Sequence, residues 1–387
     1  MEKIRLGDAC EILNGYAFKS DNYVGSGIRV IRIANVQKGF IEDNAPAFYP
    51  LDSNGLDKYM LEEGDLLMSL TGNVGRVAIL KKEFLPAALN QRVACLRLKI
   101  DTLTKGYLFH ILNSDFFEQQ CIQSSKGVAQ KNMSTEWLKE YEIPLYPKER
   151  QDEITKVLDR VSAVITARQQ ELQKLDELVK ARFVEMFGDT GKQVLLTDYV
   201  WFQEGPGVRS VDFTNEGTIL LTGSNINKNE ISFGHKSDRF VSNELASGKY
   251  AHFMCDKDDI LVVSSAIDPN RFDEKVAIVL EDKKYCLNTG IIRFKPNKEY
   301  LTLGYFREFL KTDYFKHQVM EEMRGIAQMH FGPSHLKKMT ILLPDSLEKQ
   351  MEFENFVQQV EKTKTAVQKS LDKAQLLFDS LMQQYFG

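Results

Sequence analysis

Two long stretches of the chain keep a helical period. From 148 to 187 there is no proline or glycine, and apolar side chains fall at Ile154, Leu158, Val161, Ile165, Leu172, Leu175, Val179 and Met186. With Arg168 and Arg182 filling two slots, the spacing alternates three and four, which makes a heptad seam. From about 346 to 386 the pattern returns with Phe353, Phe356, Val360, Val367, Leu371, Ala374, Phe378, Leu381 and Tyr385. Pro147 and Pro344 precede these stretches, and Gly188 and Gly387 follow them, which suits helix starts and ends. A helix of about 40 residues spans about 60 Å and does not stand alone in water with its seam exposed. Both seams occupy equivalent places on one chain. They are therefore expected to pair with each other as an antiparallel coiled coil rather than with another chain.

The remaining residues alternate in shorter runs. Val30–Ile33, Asp65–Met68, Val77–Leu80, Val93–Leu98 and Tyr141–Leu145 read as short strands separated by Gly, Asn and Asp turns. Residues 105–122, and 303–323 further on, read as one amphipathic helix each. The expected class is α+β: two mixed domains joined by two long helices. The divisions are 1–147, 148–188, 189–345 and 346–387.

The second half repeats the first. At an offset of 198, Gly106, Tyr107, Leu112, Asp115, Phe117, Gln120, Gly127, Ala129 and Gln130 meet identical residues from Gly304 to Gln328. Leu89-Asn90 matches Leu287-Asn288 at the same offset, and Val77–Leu80 resembles Val276–Val279 at 199. Asp65–Ser69 resembles Asp259–Ser264 near 194, so the second copy carries about five extra residues in a surface loop. Such a period means duplicated domains, not a solenoid, and a pseudo-two-fold molecule is expected.

Composition narrows the function classes. No run of apolar residues is long enough for a membrane span, and the charged start lacks a signal-type run, so a cytoplasmic address is expected. Five scattered cysteines without a CxxC spacing read as reduced thiols. The net charge is −4; residues 1–147 hold 17 basic and 18 acidic groups, residues 189–343 hold 20 and 21. Any DNA contact must then come from a concentrated face or from partner subunits. No phosphate loop, HExxH or GxSxG is present. Thr71-Gly-Asn-Val-Gly-Arg76 lacks the Lys-Ser/Thr ending and reads as a hairpin or a DNA-facing loop. The six histidines show no metal-ligand spacing, and no methyltransferase signature occurs.

Domain, helix, domain, helix, with Asn14–Ser20, Gly64–Ser69, Thr71–Arg76, Leu89–Arg92 and Gly127–Asn132 in that order, resembles the specificity subunit of type I restriction-modification systems. The second copy departs from the motifs: Asn288-Thr-Gly290 stands for Asn90-Gln-Arg92, and Phe202–Gly207 for Asn14–Phe18. The resemblance implies that each domain reads one half of a split target in double-stranded DNA. The helices would set the gap and dock DNA adenine methyltransferase subunits, and a restriction-translocase subunit would join. It also implies no catalysis and no cofactor here; S-adenosylmethionine and ATP would be bound by partners. Two heads on a stiff spacer suit half-sites roughly 34–36 Å apart. The competing reading is a coiled-coil scaffold that does not bind DNA, which the acidic balance favours.

Base edges are read by Arg, Asn, Gln, Ser and Thr on loops. In the first domain the candidates are Tyr16, Lys19, Arg32, Asn35, Ser69, Thr71, Asn73, Arg76, Gln91, Arg92, Gln130 and Lys131. In the second they are Arg209, Thr222, Ser224, Asn225, Ser265, Asn270, Arg271, Gln328 and His330. Loss of Arg76 or Arg92 is expected to cost ~1–3 kcal/mol of specific binding. Gly127, Gly325, Asn90 and Asn288 recur in both copies and read as structural.

Overall fold

The computed structural model describes residues 2–125, 132–188, 191–234, 236–321 and 330–387, without the side chains of Pro269 and Asn270. It divides into two compact units: 1–169 with 369–387, and 170–368. The fold is α+β, and the two units share one internal plan.

The first unit is built on an antiparallel sheet in the order Cys10–Asn14, Val93–Leu98, Leu66–Ser69, Val77–Ile79. Its central strands are buried on both faces, so Leu66-Leu-Met reads as a continuous apolar run rather than an alternation. Alternate side chains nevertheless part company. Leu66, Met68, Ala94 and Leu96 join one core with Tyr107, Leu108, Ile111 and Ile154. Leu67, Ala78, Val93 and Cys95 join another with Ile31, Leu61 and Leu89. The second core belongs to a sheet ordered Phe48–Tyr49, Ile28–Ile31, Ala87–Leu89, Met60–Leu61, whose middle pair is parallel. Strand Glu2–Arg5 pairs antiparallel with Glu142–Leu145.

The second unit repeats the plan: Val200–Glu204, Ile291–Pro296, Ile260–Val263, Val276–Ile278 in one sheet, and Phe213–Thr214, Arg239–Val241, Thr218–Leu221, Tyr285–Leu287 in the other, where the parallel pair lies at the edge. The closing pair is Lys192–Leu195 with Thr340–Leu343. The extra residues form a loop with a short helix at Pro269–Glu274, pinned by fully buried Phe272 between Phe315 and Phe331.

The single helix expected over 105–122 is two helices, Lys105–Leu112 and Asp115–Ser124. Ser114 caps the second, its Oγ accepting from Phe117 N at 3.1 Å. The other copy breaks between Leu303–Phe309 and Asp313–Glu321, where Thr312 Oγ1 accepts from Phe315 N at 3.3 Å. A side-chain cap ends the turn although the apolar period runs on.

The long helices are Lys148–Met186 and Leu347–Phe386. In the second unit Arg182 meets Glu352 at 3.0 Å and Asp176 meets Lys364 at 2.9 Å, so one helix descends as the other climbs: the pair is antiparallel. Phe183 and Phe187, absent from the predicted seam, pack there against Tyr305 and Phe353. In the first unit Phe386 lies against Tyr107 and Arg150 over Tyr385.

A buried glutamine ties each head to its helix. Gln151 Oε1 accepts from Thr104 N, and its amide donates to Thr102 O and Tyr146 O, each at 2.8 Å. Gln350 accepts from Thr302 N and donates to Tyr300 O, both at 2.9 Å. All five cysteines are free and buried, and burial pushes the Cys10 thiol up to about 12. Among the described residues no helix is long and apolar enough to cross a membrane.

Candidate nucleic-acid interface

Four segments meet at one end of the first antiparallel sheet. Tyr16 N donates to Leu89 O at 2.8 Å, and Gln91 N to Tyr16 O, Leu70 N to Arg92 O and Met133 N to Leu70 O at 2.9 Å. The second unit laces the equivalent loops. Thr289 N donates to Pro206 O at 3.0 Å, and Ser264 N to Gly290 O and Phe331 N to Ser264 O at 2.8 Å. The stretches that depart in sequence therefore keep one backbone design. Gly15 and Gly205 explain how. A Cβ on either would lie 2.3 or 2.2 Å from the backbone of Asn90 or Asn288, so only glycine lets the loops touch. The offset here is 190, not 198, because the heads differ in loop length.

Several candidate base readers are occupied inside the protein. Asn35 is 4% exposed; its Oδ1 accepts from Arg32 N, and its amide donates to Glu42 O and Asp43. Asn225, fully buried, repeats this with Thr222 N, Ser232 O and Asp238. Both asparagines brace a turn and are corrected from base readers to scaffold, because a buried amide with its bonds made has none to give a base. Ser69 is also buried; its Oγ donates to Asn73 O and accepts from Arg76 N, closing the 70–76 hairpin. Arg76 itself donates to Gln37 Oε1, and at the equivalent place Lys275 Nζ donates to Asn227 Oδ1 and Ile226 O. That latch takes one of the five N–H donors of the Arg76 guanidinium. Thr222 bonds Asn225 and Ser224, Arg32 donates to Ala45 O, and Arg271 is held by Glu274 and Asn227.

What stays at the loop edge is a smaller set. Tyr16 (39% exposed), Lys19, Asn73, Gln91 and Arg92 are exposed, with Thr71 half-buried beside them. In the second unit Arg209, Ser224 and His330 are exposed and Ser265 is half-buried. Lys19 and Arg209 occupy the same place, each just before a short turn of helix. The Tyr16 ring meets Phe18 edge-on at 5.0 Å and Tyr59 at a tilt at 5.3 Å. Pro206, Arg209, Tyr250 and Phe253 line a groove of about 470 Å³. On its wall Lys249 and Tyr250, both bonded to Asp212, hold that carboxyl below its ordinary range. Gln130, Lys131, Gln328, Gly127, Gly325 and the Asn270 side chain lie outside the described residues.

Several cations of the heads are taken by acids: Arg29 by Asp43, Lys38 by Asp115 and Glu118, Arg97 by Asp65, Arg293 by Asp259. Lys19, Arg92 and Arg209 form no ion pair among the described residues. Asn132, exposed at the same edge, ends the Gly127–Asn132 motif and lies 198 residues before His330, but was not among the candidate base readers.

The model of the type I restriction modification DNA specificity domain family matches residues 1–177 and again 196–376. The chain belongs to this family. Family membership accounts for the duplication, since the match occurs once per half. The type I restriction enzyme EcoAI specificity subunit of Escherichia coli is 32% identical over 193 residues, covering 46% of this chain and 33% of that one. The EcoBI specificity subunit of the same organism is 24% identical over 417 residues, 98% of this chain and 83% of that one. The MjaVIII specificity subunit of Methanocaldococcus jannaschii is 28% identical over 186 residues, 46% and 43%. The chain thus spans less than half of two of these relatives and most of the third. In fold it is similar to the S subunit of a type I restriction-modification system from M. genitalium: TM-score 0.56, 16% identity, 100% of this chain and 96% of that one.

Proposed function

We propose that this chain is the DNA-reading subunit of a type I restriction-modification complex. Residues 1–147 and 189–345 each read one half of a bipartite double-stranded target. Helices 148–188 and 346–387 set the gap and dock DNA adenine methyltransferase subunits, which a restriction-translocase subunit joins in the cytoplasm. Chemistry, S-adenosylmethionine and ATP belong to those partners, and this chain is not itself an enzyme.

The observation that carries the reading is the loop edge built twice, with the same backbone lacing and different exposed side chains. Reading one site per head needs that combination: a common scaffold and divergent tips. Neither head is basic overall, so phosphate contacts fall largely to the partner subunits, and tight binding needs the assembled complex. The test is to tag the chain, purify it with its co-expressed methyltransferase, and select from randomised duplexes. A split motif with two unlike halves is expected. Selection without sequence preference would refute the role.

A further inference from the structure

We infer that Asn132 and His330 are equivalent specificity-determining positions, each reading a base edge in its own unit's half-site. The inference rests on the DNA-reading role proposed above. The two residues sit 198 apart and occupy equivalent places at the loop edge. Each comes one residue before a backbone bond that fixes the loop edge: Met133 N to Leu70 O at 2.9 Å, and Phe331 N to Ser264 O at 2.8 Å. Each is also placed beside the same hydroxyl-bearing position. Asn132 pairs with Thr71 through an antiparallel bridge, and His330 Nδ1 shares a 2.9 Å hydrogen bond with Ser265 Oγ. Both side chains are exposed.

What recurs and what differs at this edge separates two tasks. A hydroxyl recurs at Thr71 and Ser265, as a positioning residue would in any half-site. The outer side chain differs, and only a difference on a common scaffold can make two half-sites unlike. An asparagine amide offers a donor and an acceptor side by side, the pattern that matches the N6 and N7 edge of adenine. An imidazole engages through a single ring nitrogen, as donor or acceptor according to its tautomer, and suits one acceptor or one donor on a base. The adjacent position sharpens the contrast. Arg92 of the first unit is replaced by Gly290, whose φ of +81° and whose contact with Ser265, 3.0 Å from an added Cβ, leave no place for a side chain. At the position that Arg92 holds beside Asn132, the second unit therefore offers His330 no guanidinium.

The experiment uses the assembled complex and a randomised duplex library, with bound sequences counted for each variant. Asn132→Ala should relax discrimination at one base position of one half-site by roughly 5–150-fold, and His330→Ala should do so in the other half-site. The joint exchange Asn132→His with His330→Asn should move the two preferences between half-sites. Thermal melting checks each fold; where an alanine variant melts early, Asn132→Ser and His330→Gln take its place. Uniform loss of affinity with unchanged base preferences, or both variants altering one half-site, overturns the assignment. A wild-type complex that selects no sequence overturns the assignment together with the DNA-reading role, whereas wild-type selection with unaltered variants overturns the assignment alone.

Discussion

Replacing Gln151 by methionine keeps chain length and apolar bulk but removes three hydrogen bonds between the head and its helix. The residue is fully buried, so water cannot stand in for the amide. At about 1 kcal/mol net per bond, the loss is about 3 kcal/mol. Gln350→Met removes two such bonds and should cost about 2 kcal/mol. The two tryptophans make the comparison separable. Trp137 packs on Phe117 and Tyr141 in the first unit, and Trp201 lies under Arg293 in the second. In a Trp201→Phe background, urea unfolding followed by fluorescence reports the first unit; in Trp137→Phe it reports the second. With a urea slope of about 2 kcal/mol per molar, Gln151→Met should lower the first unit's midpoint by about 1.5 M and Gln350→Met the second's by about 1 M. An unmoved first-unit midpoint, or equal shifts in both units from Gln151→Met, would defeat the reasoning.

Arg92→Ala should cost ~1–3 kcal/mol in specific binding by the complex, while Arg76→Ala should behave like Gln37→Ala, because the latch joins those two residues; binding titrations on a selected site distinguish the pairs. Lys19→Ala and Arg209→Ala should each flatten the slope of log affinity against log salt by about 0.9 without changing base preference, as phosphate contacts do; an unchanged slope removes them from the interface. Deleting seven residues from each long helix, in register, should shorten the tolerated gap between half-sites, since seven residues rise about 10 Å; an unchanged gap in the selected motif ends the spacer role. Lys283 and Lys295, both bonded to Asp256, hold its carboxyl down at about 2 in the fold. An unfolded aspartate titrates near 3.9, so this contribution is complete above that pH and is lost as pH falls toward 2. Asp256→Asn should flatten the second unit's acid destabilisation in that window, measured by urea midpoints; the same acid slope in the variant refutes it.

The long helices and the duplication were legible because periodic burial leaves its spacing in the sequence, and the Val93–Leu98 strand lies where its pattern put it. The helix pair at 105–124 was not, because one capping oxygen at Ser114 decides it against an unbroken apolar period. At the loop edge, residue type suggested Asn35, Asn225, Ser69 and Arg76 as readers. Their actual partners lie 3 to 39 residues away, in turns and latches that no local spacing announces. Asn35 and Asn225 correspond at an offset of 190, which loop-length differences separate from the 198 of the matching helices.

The first unit is closed by the last stretch of the chain, residues 369–387. Met382 and Phe386 lie in its core, 5.7 Å separating the Phe386 and Tyr107 rings. During synthesis the head made first therefore waits, its helix-facing surface uncovered, until residue 386 has emerged, while the residues of the second unit end at 368. A stop codon in the final twenty residues would injure the head encoded at the beginning of the message and spare the one encoded next to it.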